Sequence, residues 1–189
     1  MKSKTEHFFI VVLAAASAFL SVQSLAHPDT GHKWHGESNR ATGLVKEVLD
    51  TTRRFQDVSV AMAEGYVAFL GCVSGSQEGA MGVHFVNGDL VGDPVLESAQ
   101  PEILVYEPLK NGRLRLVAVE YIVIAEGWHA GNELPPTLAG QVFHYSGSPN
   151  RYGLPAFYAL HVWAWKENPH GVFVDWNPKV SCADYVPAS

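Results

Sequence analysis

The sequence predicts an α+β domain in which N-terminal helices pack on a curved antiparallel sheet or partly closed barrel, held by one disulfide. Three observations predict it. Helical periodicity is confined to residues 42–64, short apolar strand patterns fill much of the remainder, and Cys72 and Cys182 stand far apart in a chain that opens like an export signal. Helices first and hairpin-linked strands after is the order of an α+β fold rather than of alternating βαβ units.

Lys2 and Lys4 precede an apolar run from Phe8 to Leu20, and Ser24-Leu25-Ala26 supplies a small-residue cleavage pattern. The run is short of the roughly 20 apolar residues that a spanning helix needs, and its flanks are those of a secretory signal peptide. Residues 1–26 are therefore assigned to the signal. The mature chain is expected to begin at His27 and to work in the periplasm or outside the cell. The whole sequence has 13 basic and 19 acidic side chains and a net charge of -6, and it becomes more acidic once Lys2 and Lys4 leave with the signal. An acidic domain without a basic cluster suits neither nucleic acid nor an anionic membrane surface. Small molecules, metal ions and other proteins remain as partners, and no pattern sets an oligomeric state.

Residues 27–40 are polar, with His27, His32 and His35 spaced by Gly and Pro. They read either as a flexible tail or as a metal-binding one, since His-rich tracts take up Zn or Cu. Residues 41–189 form the single α+β domain. Within it Val45, Val48, Thr52, Phe55, Ser59, Met62 and Tyr66 recur at threes and fours and mark one helical stripe,. Asp57 suits an N-cap and Gly65 a C-terminal stop, so the stripe predicts one kinked helix or two in succession.

Loop composition follows Cys72 in SGSQEGAMG, where Ser76 lacks the G-x-S-x-G spacing of a hydrolase nucleophile,. Strand patterns then run over Met81–Val86, Ile103–Glu107, Leu114–Ile124 and Ala156–Trp165, with a shorter fifth at Val172–Trp176,. Asn111-Gly112 turns the second into the third, and Asn168-Pro169-His170-Gly171 is placed to turn the fourth into the fifth. Between Ala125 and Leu154 prolines and glycines make a long irregular excursion of the kind that carries function. In an oxidising compartment Cys72 and Cys182 are expected to pair. Closing a loop of about 110 residues is worth at most roughly 4–5 kcal/mol in the chain-entropy account.

Three polar residues interrupt apolar strands: His84 between Val83 and Phe85, Glu120 between Val119 and Tyr121, and His161 between Leu160 and Val162. A buried carboxylate must be neutralised, hydrogen-bonded or coordinated. One arrangement pairs Glu120 with Arg115, Arg151 or a histidine and leaves each imidazole hydrogen-bonded in the core. The other brings His84, Glu120 and His161 together as metal ligands. Two imidazoles and one carboxylate suit Zn or non-haem Fe, and Zn or Cu fit imidazole best in an exported protein. Period two places Trp163 and Trp165 on the face of His161, where such rings either fill the core or, as ligand-binding residues, line a small-molecule pocket, and Glu107 at the end of its strand either joins the same cluster or lies in water. A metal site, with or without catalysis, and a metal-free binding pocket both remain open; no reaction is assigned.

Several of these segments have a recognisable wording. Met81-Gly82 runs into His84 and Asn87, PEILVYEP spans Pro101–Pro108, LVAVEY spans Leu116–Tyr121, and LHVWAWKENPHGVF leads to WNPKVSC. In these the chain resembles a widespread group of exported bacterial proteins. The resemblance covers about Phe55 to Cys182, implies no activity, and leaves His144 and the N-terminal histidines outside its motifs.

Overall fold

The computed structural model describes residues 32–187. The signal assigned to residues 1–26, and His27 with the tail as far as residue 31, lie outside the described residues. The elements are α1 (His32–Thr52), a 3-10 turn (Arg53–Gln56), α2 (Val58–Ala63), β1 (Tyr66–Ser74), β2 (Ala80–Asn87), α3 (Gly88–Gly92) and β3 (Ile103–Pro108). After them come β4 (Leu114–Ile124), α4 (Ala125–His129), β5 (Thr137–Leu138), β6 (Gln141–Val142), β7 (His144–Ser146) and β8 (Phe157–Val162). Among the described residues no helix is long and apolar enough to cross a membrane.

Six strands form one antiparallel sheet in the order β1-β2-β3-β4-β8-β7, and β5 pairs with β6 in a separate ribbon. The sheet stays open, with β1 and β7 as its edges, so the α+β expectation resolves to a curved sheet rather than a closed barrel. The Asn111 turn joins β3 to β4 with Asn111 at φ 68°. That backbone region suits Asn better than most non-glycine residues.

Alternation along the strands divides the interior into two cores. The helical stripe of Leu44, Val48 and Phe55 meets Val83, Phe85, Leu104, Tyr106, Val119, Tyr121, Leu160 and Val162 on one face. The opposite face gathers Ile103, Val105, Ala118, Ile122, Phe157, Ala159 and Trp163. Tyr106 ties sheet to helices by donating its hydroxyl to the Phe55 carbonyl at 2.7 Å.

The helix α1 begins at His32 and so takes in part of the stretch assigned to the tail. Asp57 caps α2 by accepting from Ser59 N, as its side chain suggests, and Gly65 follows the helix with φ 93°. Past Phe55, however, the stripe changes phase. Ala61 is buried while Ser59 and Met62 are exposed, because the 3-10 turn rotates α2 relative to α1.

Three departures from the expected strands matter for the site. The strand β1 lies where helix was expected to end in loop, and Leu70 (φ 62°) and Gly71 (φ 72°) bulge out of it between Phe69, opposite His84, and Cys72, opposite Val83. The strand β8 stops at Val162, where its ladder with β4 ends, and does not continue to Trp165. Residues 172–176 are no strand. They make one backbone bond from Trp163 N to the Val172 carbonyl, and the chain then crosses to β2, where Ala80 and Asn177 exchange hydrogen bonds. That strap passes close to Gly79, where a Cβ would stand 2.3 Å from the Asn177 carbonyl oxygen. It ends at the Cys72–Cys182 disulfide, with 5.7 Å between the Cα atoms.

Candidate metal centre

Register places the three buried polar residues. On the second face Val86, Ile103, Glu120 and His161 form one row across β2, β3, β4 and β8, with Glu120 directly opposite His161. His84 sits two residues before Val86, on the same face of β2. It reaches over the sheet to bring Nε2 within 3.5 Å of Glu120 Oε2. His161 Nδ1 lies 3.6 Å from the other carboxylate oxygen. One ligand atom from each of the three residues falls within 4.8 Å of the others. Ligands held by a tetrahedral ion at about 2.0–2.1 Å stand roughly 3.3–3.4 Å apart, close to the two histidine–carboxylate distances, while the wider limit of 4.8 Å would have to contract around an ion,.

The electrostatics point the same way. All three residues are buried, and neither ring nitrogen of His161 has a hydrogen-bond partner. Burial drives the pKa of His84 down to about 4, opposed by a hydrogen bond to the Gly82 backbone. His161 falls well below the usual histidine value, through burial first and then the neighbouring His84 and His144. Burial, reinforced by the charges of Asp175 and Glu102, lifts Glu120 to about 8. Without a cation, burial thus favours neutral imidazoles and a protonated carboxyl over ion pairs,. Polar atoms left unpaired in an apolar interior cost free energy, and a cation that takes up their lone pairs removes that cost.

The cluster opens on a cavity of about 370 Å³, within the range of small-molecule sites,. Its wall includes Phe69, Met81, Ile122 and Phe157, and its polar side chains include His144 and Asp175 as well as the three ligand candidates. His144 Nδ1 meets Asp175 Oδ1 at 3.2 Å, and the same oxygen stands 3.7 Å from His161 Nδ1. Neither residue is picked out by sequence patterning. Asp175 comes in on the irregular strap and His144 on a three-residue edge strand, so the only available signal was their lying in segments already marked as irregular or short.

The three residues expected to bind a ligand beside the metal lie elsewhere. Trp163 shares the face of His161 and stacks on it, centroids 6.1 Å apart, but it is buried behind the imidazole with Nε1 donating to the Val174 carbonyl. Trp165 turns to the helical face and donates to Thr52 Oγ1 at 3.0 Å. The reason is a bulge at Val117: Tyr106 pairs with Leu116 and Val105 with Ala118, which leaves the Val117 carbonyl free to accept from both Trp165 N and Lys166 N. Glu107 also stands outside the cavity. Burial alone would raise its pKa, but hydrogen bonds from Arg115 and Lys166, with their charges, bring it below the usual carboxylate value. Arg115 thus pairs with Glu107 and not with Glu120.

Comparison with protein-family models, curated proteins and solved structures found no match to this chain.

Proposed function

We propose that this is an exported protein that binds one transition-metal ion, Zn or Cu, through His84, Glu120 and His161 and presents it to a small molecule in the adjoining cavity. The observation that carries the reading is the set of three buried side chains whose ligand atoms gather within 4.8 Å, among them the His161 imidazole with both nitrogens unpartnered. Three protein ligands leave a coordination position free, which is the build of a site that meets substrate rather than of a closed structural one. A cavity beside that position is what a metalloenzyme requires, and in that case the ion would act as a Lewis acid or as the source of an activated water. The disulfide between Cys72 and Cys182 accords with an oxidising compartment,.

Metal analysis of protein purified without a polyhistidine tag, before and after incubation with Zn or Cu, is the direct test. The expected result is about one equivalent of metal in the wild type and close to none in His84→Ala or His161→Ala, with circular dichroism unchanged. Full metal content in either variant, or no uptake by the wild type, removes the proposal.

A second reading has an observation of its own. The cavity wall is predominantly apolar and would hold a small molecule without any ion, using Phe69, Tyr145, Tyr152 and Phe157 as its aromatic surface. A ligand bound equally well by wild type and His84→Ala would favour it.

A further inference from the structure

The sheet face beyond the ligand row has a simple layout. Moving along β4 from Glu120, the next row is Ile122 and Ala159 with His144 at the edge, and the row after it is Ile124 and Phe157 with Ser146 at the edge. All of these residues line the cavity. The ligand row therefore stands at one end of an apolar floor that continues for four residues, about 13 Å at strand rise. The polar edge positions lie only on β7, the outermost strand. A volume of about 370 Å³ has room for roughly a dozen water-sized groups at about 30 Å³ each,.

Charge narrows the choice further. A divalent ion held by two neutral imidazoles and one carboxylate keeps one positive charge in a buried setting, and burial of an uncompensated charge is costly. Asp175 is partly exposed, with Oδ1 3.2 Å from His144 Nδ1 and 3.7 Å from His161 Nδ1, so it offsets part of that charge from outside the ligand set. A single negative charge on the bound molecule offsets the remainder. A cationic head group adds to it.

On the metal-centre reading, we infer that the cavity takes a small carboxylate with an apolar aliphatic or aromatic body. The carboxylate occupies the free coordination position, and the body lies along Ile122, Ile124 and Phe157. The inference rests on the metal site but goes beyond it, because metal uptake alone would not select charge or length.

Calorimetric titration of the Zn-loaded protein with butanoate, hexanoate, octanoate and octylamine tests it, with metal content measured on the same samples. Each methylene buried should strengthen binding by about fourfold, so affinity is expected to climb from butanoate to octanoate. Octylamine and metal-stripped protein titrated with octanoate should both bind at least about tenfold more weakly, since each loses the charge-assisted head-group contact. Ala159→Leu, which fills part of the floor, should keep its metal and lose octanoate affinity. If that variant fails to fold, the chain-length series in the wild type still decides. Normal metal content with affinities independent of chain length, or octanoate bound equally well with and without metal, overturns the inference and leaves the metal centre standing. No metal uptake overturns both.

Discussion

Glu102 shows what a buried carboxyl does when it has no part in the site. It is almost completely covered, its Oε2 accepts from Ile122 N at 3.1 Å, and burial lifts its pKa to about 8, only partly offset by backbone hydrogen bonds. The folded protein thus holds this proton more tightly than the unfolded chain, whose carboxyl titrates near 4.5. Between those two values the folded form binds more protons, so stability falls as the pH rises. The contribution is complete below the unfolded-state value and is lost as the pH climbs through about 8. Glu102→Gln keeps an acceptor for Ile122 and removes the titration. Urea midpoints at about pH 5 and pH 9 should differ less in this variant than in the wild type, and an identical difference in both would exclude Glu102 as the source. Buried His84 and His161 act in the opposite sense: their lowered pKa values cost stability as the pH falls below the ordinary histidine range, so comparison with the variant is needed to isolate Glu102.

Among the elements, the segment joining α1 to α2 is anchored by a single buried side chain. Phe55 is 2% exposed, meets the Tyr66 ring edge-on at 5.3 Å, and its carbonyl holds the Tyr106 hydroxyl. Phe55→Ala should destabilise by about 3–5 kcal/mol, read as a lower urea midpoint with an unchanged slope. Loss of metal in that variant at temperatures where it remains folded would contradict the separation of the two faces. Legibility follows the same physics. The strands β3 and β4 could be read because their patterns are long and the Asn111 turn between them is local, and Glu120 stood out because its neighbours are apolar. Strand β1 could not, since the bulge at Leu70 and Gly71 interrupts its alternation. Residues 172–176 have strand composition, but they form no ladder: Val172 makes a single backbone–backbone bond and side chains hold the Val174 and Trp176 carbonyls, so Asp175 reaches the cavity by a path that no periodicity describes. Trp165 was misplaced for a related reason: the acceptor that turns it away is a carbonyl on another strand.

For the molecule as a whole, the disulfide spans 110 residues and fastens the strap to β1. Cys182→Ala should lower the melting temperature, the loss of stability being at most roughly 4–5 kcal/mol for a loop of this length. Thiol titration of the denatured, unreduced wild type should find no free thiol. Two titratable thiols in exported material would contradict the bridge.

The bulge at Val117 carries a consequence for how such a chain can vary. Val117 and Ala118 both belong to the cavity-side core, whereas Leu116 and Val119 belong to the helical one. Side chains along β4 can be exchanged one at a time while each stays on its own face. Gaining or losing a single residue between Leu116 and Glu120 would exchange the faces of the positions beyond it and turn the carboxyl into the helical core. This strand is therefore tolerant of spelling and intolerant of length, and the few residues around Val117 keep count for the rest.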